Sequence, residues 1–276
     1  MPDARPYQLR YSEIAPLMVD EESRRKKARK ILAILRHALV GLDLQTLKLL
    51  DIGSSAGIIT SELAKQFGHV TGIDIDESGL LGARKYMWPE SSNPPTAPEA
   101  PSSRRALLLG DAMRLPFFDS SFDVVILNHV YEHVPDAQKL IDESWRVVKP
   151  GRIVYFAADN RFGPIEPHYR LAGLSWFPRR VSNAYLKITG KGSVYYEHLL
   201  SLQSVRRLVA RFELDDYTLR VIGAPNIYFA DDQIKHGKYG RALFALARLF
   251  YWFLPTYLFI LRKPTDRKGC LAQSRE

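Results

Sequence analysis

Short runs of β-branched and aliphatic residues alternate with helical stretches between residues 46 and 158, and this order restricts the fold more than any other feature. Strands that alternate with helices of this length are typical of a parallel sheet with crossover helices on its faces. The predicted strands lie at residues 47–52, 69–73, 106–109, 122–127 and 152–157. The predicted helices lie at residues 58–67, 78–86 and 135–148, and the sequence KPG from Lys149 to Gly151 ends the last one.

The rest of the chain extends this core. A helix at 202–212, a strand at 217–222, a helix at 241–254 and a strand at 257–261 are predicted. The proline- and serine-rich stretch 89–105 is predicted to be an exposed loop. With 276 residues, of which 46% are hydrophobic, the chain is expected to form one core. The expected division is an N-terminal helical segment (1–45), a ligand-binding core (46–158) and a segment completing the same domain (159–276).

Cysteine content and hydropathy set the expected compartment. Cys270 is the single cysteine, so the sequence predicts neither a disulfide framework nor a cysteine metal site, and we expect no bound metal. The start MPDARPYQLRYSEIAP lacks the apolar run of a secretory signal. No stretch has the roughly 18 apolar residues of a spanning helix. We therefore expect a cytosolic protein, with peripheral contact at a membrane left open.

A net charge of +9 favours anionic surroundings, and nucleic acid, acidic lipid headgroups and phosphorylated substrates all qualify. The densest basic run, RRKKARK from Arg24, leads into ILAILRHALVGL and predicts an amphipathic helix. A solvated helix face is the simplest interpretation of that run, and membrane or RNA contact is the alternative.

The sequence LLDIGSSAGIIT predicts a strand that turns sharply into a helix through Gly53 and Gly57. Glycine has no side chain, so such a turn lets a ligand approach the backbone. A tight turn without a ligand would give the same pattern, and nicotinamide and flavin binders share it.

Acidic and amide residues at the ends of the next strands make a ligand site more specific. Asp74 closes the second strand, where a carboxylate can accept hydrogen bonds from both hydroxyls of a ribose. Asp76 is the weaker candidate for that role, because a residue at the strand end points more directly into the crevice. Asp111 follows the third strand and suits an adenine amine, and Asn128 ends the fourth.

These segments resemble the class I S-adenosylmethionine-dependent methyltransferases, in particular the methyltransferase type 11 group with the ubiquinone and menaquinone enzymes. The resemblance covers about residues 47–157. It implies a Rossmann-like seven-stranded α/β sheet, parallel with an antiparallel last strand at its edge, formed here by 257–261. It also implies S-adenosylmethionine as cofactor, bound by Asp51, Gly53, Ser54, Ser55, Gly57, Asp74, Ile75, Asp111, Ala112 and Asn128. One departure is Ser55, which stands where the family often has the middle glycine of D-x-G-x-G-x-G.

Methyl transfer from a sulfonium needs a base only if the acceptor must lose a proton. The phrase NHVYEHV after the fourth strand offers His129 and His133 as candidates, with Tyr131 and Glu132 beside them. Each of these also has an interpretation as an anchor for the following helix. In similar enzymes a later segment closes over the acceptor, and here it contains further polar and aromatic candidates. Each of them also has an interpretation as packing or loop structure: His168, Tyr169, Tyr195, Tyr196 and His198.

The stretch PIEPHYRLAGLSWFPRR indicates the acceptor class, since aromatic and apolar walls suit a small, lipid-like or glycan-type molecule. Nearby cations, Arg170, Arg179 and Arg180, suit a phosphate or carboxylate on it. The helix at 241–254 is expected to pack as a connector, with membrane contact the alternative. Two other functions stay open: an RNA-modifying methyltransferase, although no RNA-binding module is recognised, and a nicotinamide-dependent oxidoreductase. The oligomeric state is not indicated.

Overall fold

The computed structural model describes residues 9, 20–88, 104–231 and 240–265. The strands in these ranges are β1 (Lys48–Ile52), β2 (His69–Asp74), β3 (Arg104–Leu109), β4 (Phe122–Asn128), β5 (Val148–Asp159), β6 (Ile165–Glu166), β7 (Leu171–Ala172), β8 (Glu213–Asp216) and β9 (Thr256–Arg262). The helices are α1 (Glu21–Ala38), α2 (Ile58–Leu63), α3 (Glu77–Met87), α4 (Ala137–Val147), α5 (Arg179–Ile188), α6 (Leu202–Leu208), α7 (Thr218–Gly223) and α8 (Gly240–Leu249). Of the predicted loop at 89–105, residues 89–103 lie outside the described part, while Arg104 and Arg105 belong to β3.

Seven of the described strands form one sheet in the order β3-β2-β1-β4-β5-β9-β8. The pairs from β3 to β5 are parallel, whereas β9 runs antiparallel to both β5 and β8. The chain proceeds outward from β1 to β3 and then returns to begin again at β4. This reversal between β1 and β4 opens a crevice at the carboxyl edge of the sheet, where open α/β folds bind their ligands.

The predicted α/β class and the antiparallel last strand are confirmed, but the predicted edge position of that strand is wrong. β9 lies between β5 and β8, so β8 forms the edge. The strand predicted at 217–222 is also wrong. That stretch is the helix α7, because the Asp216 side chain accepts a hydrogen bond from the Thr218 backbone N–H at 2.9 Å and the buried Tyr217 and Val221 are four residues apart.

The sheet is buried on both faces, which explains the continuous apolar runs of its central strands. In β4, Val124 and Ile126 pack into one core cluster and Val125 and Leu127 into the other. Helix α1 contributes Ala28, Ile31, Ile34 and Leu35 to the first cluster. The N-terminal helix is therefore part of the main core, and the basic run that begins it lies above the carboxyl edge of the sheet.

Residues 160–200, here called the lid segment, leave the sheet after β5 and return before α6. Both ends are held by the buried Tyr131, whose hydroxyl donates to the Asp159 carbonyl at 2.6 Å and accepts from the Leu200 N–H at 3.0 Å. A backbone bridge between Asn160 and Leu200 closes the loop beside it. The lid segment is thus a long insertion whose two ends lie side by side at the carboxyl edge of the sheet.

The helix predicted at 241–254 forms α8 at 240–249 and a 3₁₀ turn at Tyr251–Phe253. It does not pack as the expected connector: Gly240 and Ala247 are its buried residues, while most of its large apolar side chains are exposed. Among the described residues, no helix combines the length and hydropathy needed to cross a membrane.

Candidate active site

The turn from β1 into α2 requires glycine at two positions. Gly53 and Gly57 have φ angles of 76° and 68°, which glycine adopts without steric cost. A Cβ on Gly57 would lie 2.5 Å from the Cβ of Ala83, and one on Gly53 would lie 2.8 Å from Cγ2 of Val130. The two glycines therefore let the turn pack closely against α3 and against the chain after β4.

Ser55, between them, also has a left-handed backbone, with φ 47°. This explains why glycine is frequent at this position in the family that the sequence resembles. The conformation is held by a hydrogen bond of 2.6 Å from the Ser55 N–H to Oδ2 of Asp74. The serine therefore keeps the glycine-type turn, at the steric cost of roughly 1–2 kcal/mol that a side chain carries in this region.

Replacing Ser55 by glycine is expected to stabilise the protein by up to about 1 kcal/mol, because the relieved strain exceeds the added flexibility of the unfolded chain. For a chain of this size, that raises Tm by about 2–4 °C. Ser54→Gly is the matched control: Ser54 is not among the residues with positive φ, so its replacement lowers Tm. Thermal unfolding of both variants checks this, and a lower Tm for Ser55→Gly contradicts the strain argument.

The side chains of Asp74 and Asp76 bind different backbone groups. The Asp74 carboxylate accepts from the N–H groups of Ser55 and Asp76, at 2.6 and 2.9 Å, and so ties the glycine turn to the end of β2. Burial raises the pKa of Asp74 despite these bonds. The Asp76 side chain is buried and caps α3, accepting from the Gly79 N–H at 3.1 Å. Asp74 thus holds the glycine turn against the end of β2, whereas Asp76 caps α3.

Asp51 is buried in β1, below the glycine turn, and its Oδ2 accepts a hydrogen bond of 2.6 Å from Thr60. Burial raises the pKa of Asp51 to about 7, against the lowering effect of the Thr60 hydroxyl. The charge of Asp74 raises this pKa further, and that of Arg24 lowers it. Asp51 therefore changes protonation in the neutral range.

The other predicted cofactor residues line the same edge. Asp111 and Ala112 follow β3, and the Asp111 carboxylate accepts from the Met113 N–H at 2.8 Å. Ile75 follows β2, and Asn128 ends β4. Register places these strand ends side by side, with Ile52 opposite both Ile73 and Leu127, and Asp74 opposite Leu109.

Three buried polar atoms in this crevice have no hydrogen-bond partner: Ser54 Oγ, Ser55 Oγ and Asn128 Oδ1. Buried polar groups are nearly always paired, so orphaned atoms that line one crevice point to a ligand. A polar ligand with several hydroxyl or amino groups would satisfy them. Together with the Asp74 and Asp111 carboxylates, the donor and acceptor set fits an aminoacyl nucleoside such as S-adenosylmethionine.

His129 lies one residue past β4, with φ 57°, and its Nδ1 is 3.1 Å from Oδ2 of Asp159 at the end of β5. Burial is the largest single effect and lowers the pKa of His129, but the charge of Asp159 and hydrogen bonding to Asp159 and Glu132 together raise the pKa above its usual value. Burial also acts to raise the pKa of Asp159, yet His129 and a 2.7 Å hydrogen bond from Thr256 hold it well below its usual range. His129 and Asp159 therefore form an imidazole–carboxylate pair at the crevice.

His133 has a contrasting environment. Burial, and then the charges of His168 and His129, lower the pKa of His133 to about 3. Its ring meets that of His168 edge to face, with 5.0 Å between centroids. An imidazole in this setting takes up a proton poorly at neutral pH, so of the two predicted bases His129 has the better environment.

The lid segment adds further titratable groups near the pair of His129 and Asp159. Nδ1 of His168 lies 2.7 Å from Oε1 of Glu166. Burial lowers the pKa of His168, but Glu166 outweighs it and raises it to about 9. Tyr195 and Glu197 are buried on the same inner side, while Tyr196 and His198 are exposed. The predicted cations Arg170, Arg179 and Arg180 are exposed.

Glu132 is fully buried next to these histidines, and neither of its carboxylate oxygens has a hydrogen-bond partner. His129 Nδ1 is 3.6 Å from Oε1 of Glu132. Burial raises the pKa of Glu132. The pocket thus has a buried acidic group facing whatever occupies it.

Three overlapping groups of described side chains have ligand atoms within 4.8 Å of one another, as a metal ion requires. These are Glu132–His133–His168, His129–Glu132–Asp159 and Glu166–His168–Glu197. Imidazole and carboxylate together suit several divalent metals. The sequence-based expectation of a site without metal stays a prediction.

Sequence reasoning overlooked some of these residues. Asp159 ends β5 at the same edge as the other strand-end residues, so the rule that selected Asn128 would have found it. Lys27 of α1 gave no such signal. Burial, and then the charge of Arg24, lower the pKa of Lys27 to about 8, while the charges of Asp159 and Glu132 act to raise it.

Comparison with known proteins supports the resemblance seen in the sequence. The family described as "Methyltransferase domain" matches residues 50–156. The ubiquinone biosynthesis O-methyltransferase of Pseudomonas fluorescens is 33% identical over 114 residues, which cover 41% of this chain and 45% of that relative. The demethylmenaquinone methyltransferase of Lactobacillus johnsonii is 29% identical over 185 residues, 64% of this chain and 70% of that relative. The chain thus spans less than half of the first relative's length.

Among solved structures, a SAM-dependent methyltransferase from Methanosarcina mazei is similar, with a TM-score of 0.53 and 21% identity. The match covers 84% of this chain and 98% of that one. At this identity the match shows a common fold, over a larger share of the chain than the family match covers.

Proposed function

We propose that this chain, whose residues 50–156 match the methyltransferase domain family, transfers a methyl group from S-adenosylmethionine to a small, lipid-like or glycan-type acceptor. The observation that carries this proposal is the crevice between β1 and β4, where orphaned polar atoms and strand-end carboxylates meet. The histidine-rich pocket beneath the lid segment adjoins it.

In this proposal each loop of the crevice binds one part of the donor. Asp74 accepts from the ribose hydroxyls and Asp111 from the adenine amine, with the Ile75 and Ala112 backbones beside the ring. The glycine turn, with Asp51, Gly53, Ser54, Ser55, Gly57 and Asn128, holds the methionine part. When bound, the donor supplies a methyl group already activated by its sulfonium. The protein then has to align and desolvate the acceptor, and good alignment corresponds to roughly 7–11 kcal/mol of barrier.

The pair of His129 and Asp159 supplies the base if the acceptor must lose a proton. Asp159 keeps its negative charge and orients the imidazole, and the neutral ring accepts the proton from the acceptor as the methyl group is transferred. The buried Glu132, His133 and His168 surround this proton and exclude water. The lid segment closes the pocket over the acceptor.

The proposal is tested by incubating the full chain with methyl-labelled S-adenosylmethionine and separate lipid, polar-metabolite and RNA extracts. Label in the lipid or small-molecule fraction is the expected result. Label in RNA alone would favour the RNA-modifying alternative, which the +9 net charge keeps open. No label in any fraction, together with no binding of the donor, would contradict the methyltransferase itself.

The ionisation of Asp51 predicts how donor binding depends on pH. Since the pKa of Asp51 is about 7, the group is mostly protonated at pH 6 and mostly ionised at pH 8. A cationic donor binds the ionised form better, so its Kd should fall by about tenfold from pH 6 to pH 8. The folding stability of the free protein depends on pH in the opposite direction. Because the pKa of Asp51 in the folded state lies above its usual 3.8, stability declines as pH rises from 3.8 to about 7.

Calorimetric titration of the donor at pH 6, 7 and 8 checks this prediction. Asp51→Asn is the control, because it keeps the size of the side chain and removes its titration. A Kd that is independent of pH in the natural protein, or equally dependent in Asp51→Asn, would show that another group is responsible.

A further inference from the structure

Large apolar side chains are exposed at two places beside the acceptor pocket. On the lid segment, Trp176, Phe177, Val181 and Ile188 face solvent, and Ile188 is 85% exposed. At the end of α8 and in the turn that follows it, the exposed residues are Leu249, Phe250, Trp252 and Phe253, with Leu249 70% and Trp252 58% exposed. We call these the outer lid face and the C-terminal apolar face. Contiguous exposed apolar surface of this kind commonly marks an interaction site.

The outer lid face follows helical spacing. Phe177, Val181, Ala184 and Ile188 recur at intervals of three and four residues and are all exposed, whereas Ser182 and Leu186 face the interior. Helix α5 is thus apolar on a stripe that the fold does not cover, which is the pattern of helices that lie in a membrane interface.

The two faces adjoin at the carboxyl edge of the sheet. Asn160 Nδ2 donates to the carbonyls of Trp252 and Leu254, at 2.7 and 2.9 Å. Three residues further, the Gly163 carbonyl accepts from the Trp176 indole at 3.0 Å. The first turn of the lid segment therefore contacts both faces, and they form one surface next to the pocket.

The charges around this surface have one sign. Between Glu166 and Glu197 the lid segment has no Asp or Glu, and its cations are Arg170, Arg179, Arg180, Lys187 and Lys191. Residues 240–255 also lack acidic groups and contain Arg241 and Arg248. A second copy of the chain would bring like charges together, whereas an anionic lipid surface would complement them. Each Lys or Arg near such a surface strengthens binding by about fivefold.

We propose that the outer lid face and the C-terminal apolar face together dock the protein on an anionic lipid bilayer, with the pocket edge toward the lipid. Tryptophan and phenylalanine enter the headgroup region, and the arginines and lysines pair with lipid phosphates. The inference concerns binding alone and goes beyond the proposed transfer reaction.

The test is flotation of the full chain with vesicles of phosphatidylcholine alone or with added phosphatidylglycerol, without donor or acceptor. We expect binding to the anionic vesicles that weakens with salt and is at least about tenfold stronger than to neutral ones. The double variant Trp252→Gln with Phe253→Gln should bind at least about tenfold more weakly. Arg180→Gln with Arg248→Gln should lose about fivefold per cation.

The matched control is Val40→Gln with Phe118→Gln, which removes two apolar side chains, 83% and 89% exposed, from the opposite edge of the sheet. It should bind vesicles like the natural chain, and equal Tm values show that all variants are folded. Absence of vesicle binding, equal binding to neutral and anionic vesicles, or equal loss in the control would overturn the proposal. The proposal would also be overturned if the natural chain bound no vesicles but sedimented as a dimer, and if the double variant Trp252→Gln with Phe253→Gln dissociated that dimer. A failed methylation assay would leave this result unaffected.

Discussion

Replacement of Asp74 by alanine is expected to weaken S-adenosylmethionine binding by about 100-fold or more. The carboxylate is proposed to accept from two ribose hydroxyls, and hydrogen bonds to a charged group contribute about 1.5–3 kcal/mol each. The change also removes the acceptor of the Ser55 N–H, so the glycine turn loses its tie to β2. Calorimetric titration of the variant with the donor and its demethylated product measures the effect.

Asp76→Ala is the matched control for this prediction, two residues away. Its carboxylate caps α3 through the Gly79 N–H. Loss of the cap should lower stability by about 1 kcal/mol but change the donor Kd by a few-fold at most. If Asp74→Ala bound the donor like the natural chain, or if Asp76→Ala lost as much affinity, the proposed ribose site would be wrong.

Replacement of His129 by glutamine is expected to lower kcat by roughly 10²–10⁴-fold, the usual contribution of a positioned base. The donor Kd should change little, because the proposed role of His129 is to accept a proton from the acceptor. His133→Gln is the control: with a pKa of about 3 the ring of His133 cannot serve as a base at neutral pH, so its loss should cost far less. Steady-state kinetics with the acceptor identified by labelling gives both values.

The pH profile distinguishes a base from a merely structural residue. Activity should rise as pH increases through the pKa of His129, which lies above its usual 6.5 because Asp159 is close. Asp159→Asn removes that charge, so the rising limb should move to lower pH while kcat also falls. An unchanged profile in Asp159→Asn, or equal losses in His129→Gln and His133→Gln, would exclude this assignment.

The core of the fold was predictable because its signals are local. Alternating apolar strands and capped helices place the sheet from β1 to β5, and the strand-end rule selects Asp74, Asp111 and Asn128. The error at residues 217–222 arose because Tyr217 and Val221 are β-prone residues that meet the core at helical spacing. The position of β9 was also missed, since strand order between β5 and β8 depends on tertiary pairing.

The acceptor side was less accessible to sequence reasoning. The phrase NHVYEHV identified His129 and His133 together, but their difference follows from Asp159 and His168, which are distant in sequence. The burial of Lys27 depends on how α1 packs over the sheet, and no local pattern encodes that packing.

The Tyr131 phenol has a consequence for how such proteins diversify. Its hydroxyl binds both the Asp159 carbonyl and the Leu200 N–H, at the two ends of the lid segment. The forty or so residues between them are therefore attached at two points that do not depend on their own sequence. Closing a flexible chain between fixed ends costs only about 0.6 kcal/mol for each doubling of length. The length and sequence of this segment can therefore change while its attachment to the sheet stays the same.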